Sequence, residues 1–213
     1  MRCLTAPPGA LKLAAYPSLQ EPTVLKRTLL TLCVAGTLPL AAQADNVDAD
    51  VILHTNHGPI AIELFQEKAP ESVNNFLIYV QEGHYDGTLF HRVIDGFMIQ
   101  GGGFDEDFRQ KPTRDPITNE ADNGLANERG TLAMARTGAP HSATAQFFIN
   151  VADNAFLDHQ SKQSGQTWGY AVFGQVVDGM EVVDAIRQVP TRTQGPFQDA
   201  PETPVIIERA ELP

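Results

Sequence analysis

Residues 90–104, FHRVIDGFMIQGGGF, place one arginine and one glutamine among apolar side chains. Arg92 and Gln100 stand among phenylalanine, valine, isoleucine and methionine, and the segment then ends in three glycines before its last residue. A second stretch, Gln146-Phe147-Phe148, again puts a glutamine beside aromatic residues. Neither stretch contains an obvious nucleophile, metal cluster or phosphate-binding loop. Together they indicate chemistry that needs one fixed cation beside an apolar surface and no attacking group.

Metal, hydrolase and dinucleotide chemistry fit the sequence poorly. His54 and His57 flank a turn with no acidic or histidine partner at ligand spacing, so we expect them to be surface histidines. His91 is next to Arg92, but adjacent strand residues face opposite sides, so the two are not expected to share a site. The small-residue loop at Ser142 has no evident base. The three consecutive glycines do not open a helix, as a dinucleotide-binding loop would require.

Several blocks of the sequence resemble the cyclophilins in order and spacing. They are FHRVIDGFMIQGGGF, LAMAR, SATAQFFIN, NAFLDH and YAVFGQV, and the match extends over residues 51–212. The segments MIQGGGF, NEADNG and INVADNAFLDH are similar to segments of the exported peptidyl-prolyl isomerases of Gram-negative bacteria. The resemblance implies an all-β-dominated fold, a closed eight-stranded antiparallel β-barrel capped by two α-helices. It also implies a peptide groove on the outer face of the barrel and cis/trans isomerisation of X-Pro bonds without cofactor or metal.

The resemblance also assigns roles to individual residues. It implies that Arg92 is the catalytic arginine. The implied proline pocket consists of Phe97, Met98, Phe148 and Leu157. The implied contacts to the substrate backbone come from Gln100, Gln146, Ala135 and Arg136. Phe156 and Tyr170 complete the expected substrate-binding set.

The residue types suit that reaction when they are considered without the resemblance. Rotation about an amide bond breaks no covalent bond, so no nucleophile is needed. A fixed guanidinium can donate to the prolyl nitrogen only when the amide is twisted, which stabilises the transition state selectively. The alternative is that Phe97, Met98, Phe147 and Phe148 are ordinary core residues. Phe147 and Phe148 are adjacent, so at most one of them can face the core of a regular strand.

The sequence departs from the family pattern at a few positions. Asp95 stands where the family usually has proline, and Arg136 replaces a frequent asparagine and adds charge to the groove edge. Phe156 and Tyr170 occupy the positions of a tryptophan and a histidine in cyclosporin-sensitive members, so weak binding of cyclosporin A is expected. Residues 159–168 form a longer segment than in similar sequences, and the indole of Trp168 is a candidate to return to the groove.

Short β-rich runs and two helical patterns must position these residues. Two runs around Asn56-His57-Gly58 predict a hairpin. A helix is predicted from Pro70, a residue suited to the first helical position, to Gly83, which ends it. Further strands are predicted at residues 88–94, 97–100, 131–136, 147–152, 170–177 and 204–212, with a second helix at 180–189. This pattern favours a closed antiparallel barrel or a sandwich with helices over its open ends, and residues 105–127 form a long polar surface connection.

The N-terminus has the pattern of a secretory signal peptide. Lys26-Arg27 precede a short apolar run over residues 28–40, which is followed by Ala42-Gln43-Ala44. Thirteen residues interrupted by glycine and proline are too few to span about 30 Å of hydrocarbon. We therefore expect a leader at residues 1–44, cleavage after Ala44 and an isomerase domain at 45–213. The alternative for the first residues is a translation start near Val24.

Removal of the leader would leave an acidic chain without cysteine. Eleven of the 15 basic and 25 of the 26 acidic residues follow position 44, so the net charge of the mature chain would be −14. That charge argues against nucleic acid and anionic membranes as partners. The sequence thus predicts a monomeric, periplasmic prolyl isomerase acting on unfolded or partly folded, proline-containing polypeptides. The alternative is a peptide-binding module or holdase that uses the same groove without significant catalysis.

Overall fold

The computed structural model describes residues 48–213 of the chain. The predicted leader, the cleavage site after Ala44 and both cysteines lie outside the described residues. In the part that is described, no helix has the length and hydropathy needed to cross a bilayer.

β-Strands dominate the described part of the chain. The strands are β1 (Val51–Thr55), β2 (Gly58–Leu64), β3 (Thr88–Leu89), β4 (Arg92–Ile94), β5 (Met98–Gly101), β6 (Thr131–Met134), β7 (Phe147–Asn150), β8 (Val172–Asp178), β9 (Thr191–Gln194), β10 (Phe197–Pro201) and β11 (Ile206–Glu211). The α-helices are α1 (Pro70–Gln81), α2 (Gly165–Trp168) and α3 (Met180–Arg187), and short 3-10 helices occur at Ala121–Asn123 and Ala155–Leu157.

One antiparallel sheet curls into a barrel. Its strand order is β3-β11-β1-β2-β8-β6-β7-β5-β4, so its two edges are β3 and β4. These strands are consecutive in the chain, separated by Phe90 and His91, and the Phe90 N–H donates to the Val205 carbonyl at 2.9 Å. The predicted strand 88–94 is therefore one bent strand that reaches both edges. Counted as one, it gives the eight strands of the predicted barrel, and the continuous sheet rules out the sandwich.

Large apolar side chains fill the interior of the barrel. Phe76 of α1 lies between the rings of Tyr85, Phe147 and Phe173, with ring centroids 5.1, 5.4 and 5.2 Å away. Val183 of α3 is fully buried in the same core. Burying one such side chain contributes about 1.5–3 kcal/mol, so both helices are held to the barrel by the apolar face that each presents.

The two predicted helices are confirmed and cover the barrel. α1 has Pro70 in its first turn and is followed by Gly83 at φ 64°, a conformation that favours glycine. It packs against β8 and β11, whereas α3 packs against β2, β4 and β5. Gly179 precedes α3 at φ 88°, where a Cβ would strike the Pro59 carbonyl. α3 ends at Arg187, two residues earlier than predicted.

A hairpin of β9 and β10 was not predicted. Thr191, Arg192 and Thr193 are all exposed, so the segment has no apolar alternation from which a strand could be read. Gly195 supplies the turn at φ 58°. β10 packs against β4, which brings this hairpin to the strand that carries Arg92.

The connection at residues 105–127 runs over the surface, as predicted, but two of its asparagines, Asn119 and Asn127, are buried. The Asn119 side chain donates to the Gly169 carbonyl at 3.1 Å, and Asn127 N–H donates to Asp158 at 2.7 Å. These bonds tie the connection to the segment around α2. α2 itself is a single turn, too short to give a periodic signal in the sequence.

Candidate active site

Outward-facing residues of the strands form a second apolar cluster outside the barrel, here called the outer cluster. Its buried members are Met98, Ala133, Phe148, Leu157 and Val172. Met98, Ala133 and Phe148 alternate along β5, β6 and β7 with residues that point inward, because successive strand side chains face opposite sides. Leu157 lies in the Ala155–Leu157 turn and Val172 at the start of β8. Phe147 accordingly belongs to the core and Phe148 to the outer cluster, so only one of the adjacent pair faces inward, as predicted.

A cavity of about 130 Å³ opens over the outer cluster. Drug-sized ligands usually occupy about 300–1,000 Å³, so this space suits a single side chain or small ring. Nine of the eleven residues expected at the site line it: Arg92, Phe97, Met98, Gln100, Ala135, Arg136, Phe148, Leu157 and Tyr170. The cavity therefore combines an apolar floor with two cationic and one amide side chain.

Arg92 and Gln100 face the cavity from neighbouring strands. β4 and β5 pair in register so that Arg92 lies directly opposite Gln100, which puts both side chains on one face. The Arg92 side chain is 41% exposed, and its Nε lies 3.9 Å from Oδ2 of Asp199. The Gln100 Nε2 donates to Oε1 of Gln146 at 3.0 Å. The guanidinium thus remains accessible, while the glutamine is held by a second amide.

Gln146 lies outside this cavity but lines an adjoining one. The second cavity measures about 350 Å³ and also includes Gln100, Ala135, Arg136 and Ser142. Gly103 lies so close to Gln146 that any Cβ at Gly103 would collide with the Gln146 side chain. Gly103 therefore leaves room for Gln146, and Gly101 and Gly102 leave room for the rings of Phe90, Tyr85 and Phe147.

Phe156 and Tyr170, the two aromatic residues at which the sequence departs from the family pattern, form the rim of the cavity. Phe156 is 66% exposed, and its ring centroid lies 5.6 Å from that of Phe97. Tyr170 meets Phe148 edge to face at 5.7 Å. The Asn154 side chain donates to the Phe97 carbonyl at 2.9 Å and so ties the turn before β5 to the Ala155–Leu157 turn. Phe156 does not line the 130 Å³ cavity but borders it through Phe97.

The side chain of Arg136 is bound largely by the protein's own backbone. Its guanidinium donates to the carbonyls of Gly165 (2.7 Å), Gly169 (2.9 and 3.0 Å) and Thr137 (2.9 Å). Its Cζ also lies 4.4 Å from the centre of the Tyr170 ring. The residue expected to add charge to the groove edge therefore also fixes the segment that carries α2.

Trp168 does not line the cavities around Arg92. Its ring packs at 4.8 Å from His141 and 5.9 Å from His159, and His159 Nδ1 lies 2.6 Å from the Trp168 carbonyl oxygen. The indole Nε1 is buried and has no hydrogen-bond partner among the described residues. Residues 159–168 thus fold back on themselves, and the indole of Trp168 lies away from the groove.

The other histidines have structural surroundings. His54, expected at the surface, is 29% exposed and pairs with Glu211 at 2.8 Å. His91 is buried against Phe104, and this burial lowers its pKa to about 4. It does not line the cavity that contains Arg92. Within residues 48–213, no group of three or more histidine, cysteine or carboxylate side chains could hold a metal ion.

Two acidic contacts near the site were not foreseen. Asp199 comes from the unpredicted strand β10 and faces Arg92. Asp95, in the turn between β4 and β5, pairs with Arg187 at the end of α3. Neither contact leaves a local signal in the sequence, because each joins residues far apart along the chain.

Comparison with known proteins agrees with this geometry. A family model described as "Cyclophilin type peptidyl-prolyl cis-trans isomerase/CLD" matches residues 50–212. Peptidyl-prolyl cis-trans isomerase B of Escherichia coli (strain K12) is 64% identical over 158 residues, covering 74% of this chain and 96% of that protein. Peptidyl-prolyl cis-trans isomerase A of Dickeya dadantii is 56% identical over 171 residues, covering 80% and 88%.

Solved structures extend the comparison to the fold. A cyclophilin-type isomerase from Cryptosporidium parvum, crystallised in the presence of the dipeptide Ala-Pro, superposes with a TM-score of 0.62. Its sequence is 28% identical, and the match covers 76% of this chain and 98% of that one. The strand order, the capping helices and the sequence identity all agree with one assignment. The chain belongs to the cyclophilin-type peptidyl-prolyl cis-trans isomerase family.

Proposed function

We propose that this isomerase accelerates rotation about X-Pro bonds by a non-covalent mechanism in which Arg92 donates a hydrogen bond to the prolyl nitrogen. The observation that carries the proposal is the position of Arg92, which lines a ring-sized apolar cavity directly opposite Gln100. In this mechanism the proline ring occupies the space between Phe97, Met98 and Phe148. Gln100 and Gln146 hold the backbone of the bound peptide.

The energy required is compatible with such a site. Uncatalysed isomerisation takes tens to hundreds of seconds over a barrier of about 18–20 kcal/mol. Reaching about 10³ turnovers per second requires roughly 7 kcal/mol of transition-state stabilisation. A single aimed donor supplies about 2.7–4 kcal/mol, which makes Arg92 the largest contributor. The apolar cavity supplies part of the rest, because the twisted amide is less polar than the planar one.

Arg92 suits this role because none of its donors is used by the described protein. Twisting removes amide resonance, so the prolyl nitrogen regains a lone pair and can accept a hydrogen bond. The nearest carboxylate, Asp199, lies at 3.9 Å, beyond hydrogen-bond distance. The guanidinium donors therefore remain available to a substrate.

The proposal includes export of the enzyme. The basic pair, apolar run and small residues before Asp45 support a leader that directs the domain to the periplasm. There the enzyme would act, as a monomer, on unfolded or partly folded envelope proteins that contain proline. It would need no cofactor, and its acidic charge disfavours stable association with nucleic acid or membranes.

A holdase that only binds peptides in the same groove is the competing function. Arg92 argues against it, because a binding module gains nothing from a donor aimed at the amide nitrogen. The exposed ring of Phe156 is compatible with either function. Catalysis must therefore be measured separately from binding.

The decisive variant is Arg92→Ala, assayed with a protease-coupled Ala-Pro-Phe peptide. We expect kcat/KM to fall by roughly 10²–10³, with a much smaller change in affinity for a proline peptide. The thermal midpoint should barely move, because Arg92 lies on the outside of the barrel. Arg114→Ala is the control, since Arg114 is also half-exposed and pairs with Glu82 away from the cavity.

Phe97→Ala provides a contrasting result. It opens the ring pocket, so binding and turnover should weaken together rather than separately. Undiminished activity in folded Arg92→Ala would remove the proposed mechanism. Absence of activity in the unmodified protein and the variant, with binding of unfolded chains retained in both, would establish the holdase.

A further inference from the structure

Asp199 lies in an irregular part of β10. Phe197 pairs with Gln194 and Ala200 with Arg192, so two residues of β10 stand opposite one residue of β9. Asp199 is one of these two and has φ 56°, in the left-handed region. An extra strand residue of this kind turns its side chain out of the regular pleat, and such features often occur beside functional sites. The irregularity therefore directs the Asp199 carboxylate in a way that a regular strand would not.

The surroundings of β10 hold this conformation in place. The Phe197 ring lies 4.9 Å from both Phe104 and Phe108, and Ala200 is fully buried. β10 also packs on β4, the strand of Arg92. The position of Asp199 is thus fixed from both sides, rather than being that of a free loop residue.

Oδ2 of Asp199 lies 3.9 Å from Nε of Arg92, and the two side chains are 43% and 41% exposed. The distance is too long for a hydrogen bond, so the contact is electrostatic and consumes none of the guanidinium donors. It acts on Nε and leaves the terminal nitrogens to a substrate. In the described residues, no other carboxylate forms an ion pair with Arg92.

We propose that Asp199 is a positioning residue, which restricts the guanidinium of Arg92 to orientations that can donate to a twisted prolyl amide. This inference rests on the proposed role of Arg92. Ion pairs of similar exposure change equilibria by a factor of about two to five. Loss of the carboxylate should therefore lower kcat by that factor and leave KM nearly unchanged, because Asp199 does not line the substrate cavity.

The test uses Asp199→Asn, which removes the charge and keeps a residue type that tolerates the left-handed conformation. Asp199→Gly removes the side chain without backbone strain and serves as the second variant. Glu82→Gln is the matched control, since Glu82 is a half-exposed carboxylate that pairs with a different arginine, Arg114. The thermal midpoints of all three variants should lie within a few degrees of that of the unmodified protein.

Each substitution is then repeated in the Arg92→Ala background. If Asp199 acts through Arg92, Asp199→Asn lowers kcat two- to fivefold in the unmodified protein and has no further effect in Arg92→Ala. Three results would each overturn the inference. They are an equal fall in kcat in both backgrounds, a change in KM with kcat unchanged, and no change in either constant. If Arg92→Ala alone is fully active, the proposed mechanism fails first, so the two failures are distinguishable.

Discussion

At the scale of single residues, the rim position Phe156 distinguishes this groove. Its ring is two-thirds exposed and stacks on Phe97, so it offers apolar area but no hydrogen-bond donor. By family resemblance, cyclosporin-sensitive members carry tryptophan here and donate an indole N–H to the inhibitor. Trp168, the single tryptophan of the sequence, is packed between His141 and His159 and does not supply that donor.

We therefore predict that cyclosporin A inhibits this enzyme one to two orders of magnitude more weakly than the sensitive members. A lost hydrogen bond costs about 0.5–1.5 kcal/mol, and more when the partner is left buried and unpaired. Phe156→Trp should restore part of the affinity, measured as an inhibition constant in the isomerase assay. Nanomolar inhibition of the unmodified protein would contradict the prediction.

From the sequence, residues that line the cavity could be predicted, but the contacts that Asp199 and Arg136 make could not. Strand alternation around Met98 and Phe148 indicates which side chains share a face, and their expected roles stay predictions until variants are assayed. Asp199 could not be anticipated, because its orientation depends on a local irregularity and on packing between distant strands. Arg136 was assigned to the groove edge, but nothing local in the sequence reveals that it binds Gly165 and Gly169.

At the scale of elements, Arg136 joins β6 to the segment around α2. Three hydrogen bonds to the carbonyls of Gly165 and Gly169 and contact with the Tyr170 ring concentrate the support for this segment on one side chain. α2 is only one turn long and cannot be stable through its own backbone bonds. Its Ser164–Thr167 capping box adds local support but no link to the barrel.

We predict that Arg136→Asn loosens this segment while the barrel stays intact. Loss of charge-assisted hydrogen bonds from a half-buried guanidinium should cost about 1–2 kcal/mol. For a domain of this size, the thermal midpoint should fall by roughly 2–8 °C. Hydrogen exchange at residues 161–169 should accelerate more than exchange in β5 and β7, which follows only the loss of global stability. Arg109→Asn, an exposed arginine paired with Asp107, serves as the control; unchanged exchange in the segment would refute the role.

The bend between β3 and β4 is the element that closes the barrel, and His91 is buried in it. Its folded pKa of about 4 lies below the ordinary value of 6.5, so the folded state favours the neutral ring. The unfolded chain takes up the proton first as the pH falls. His91 thus costs no stability above pH 6.5 and progressively destabilises the fold between pH 6.5 and about 4.

The expected loss from His91 between pH 7 and pH 4.5 is about 2–3 kcal/mol in the free energy of unfolding. Denaturant titrations should show that His91→Asn, although less stable at pH 7, loses less stability on acidification than the unmodified protein. His57→Asn, at the exposed tip of the β1–β2 hairpin, is the matched control for the substitution itself. Identical pH dependence in His91→Asn and the unmodified protein would show that His91 is not the titrating group.

Some elements of the fold could be predicted from the sequence and others could not. The first hairpin and α1 were predictable because Asn56-His57-Gly58, Pro70 and Gly83 are strong local signals. The run 88–94 reads as one strand, and only the complete sheet shows that it pairs at both edges. β9 and β10 were missed, since their exposed polar residues carry no period-two pattern.

At the scale of the whole molecule, the net charge and the predicted leader bear on where the enzyme would work. The formal net charge of −11 becomes −14 if residues 1–44 are removed. Such a charge would repel nucleic acid and anionic lipid and would favour neutral or basic unfolded chains in the groove. Both cysteines precede position 45, so the mature domain would be insensitive to the oxidising conditions of the periplasm.

This organisation leads to a prediction about maturation. Protein recovered from the envelope fraction of a Gram-negative host should begin at Asp45 and contain 169 of the 213 residues. It should carry no thiol, because Cys3 and Cys33 would be removed with the predicted leader. Intact-mass measurement and thiol titration check both points, and Ala44→Lys, which destroys the small residue before the cut, should accumulate as an unprocessed precursor. Envelope protein that retains residues before Ala44, or that titrates a cysteine, would contradict cleavage and leave export by this leader without support.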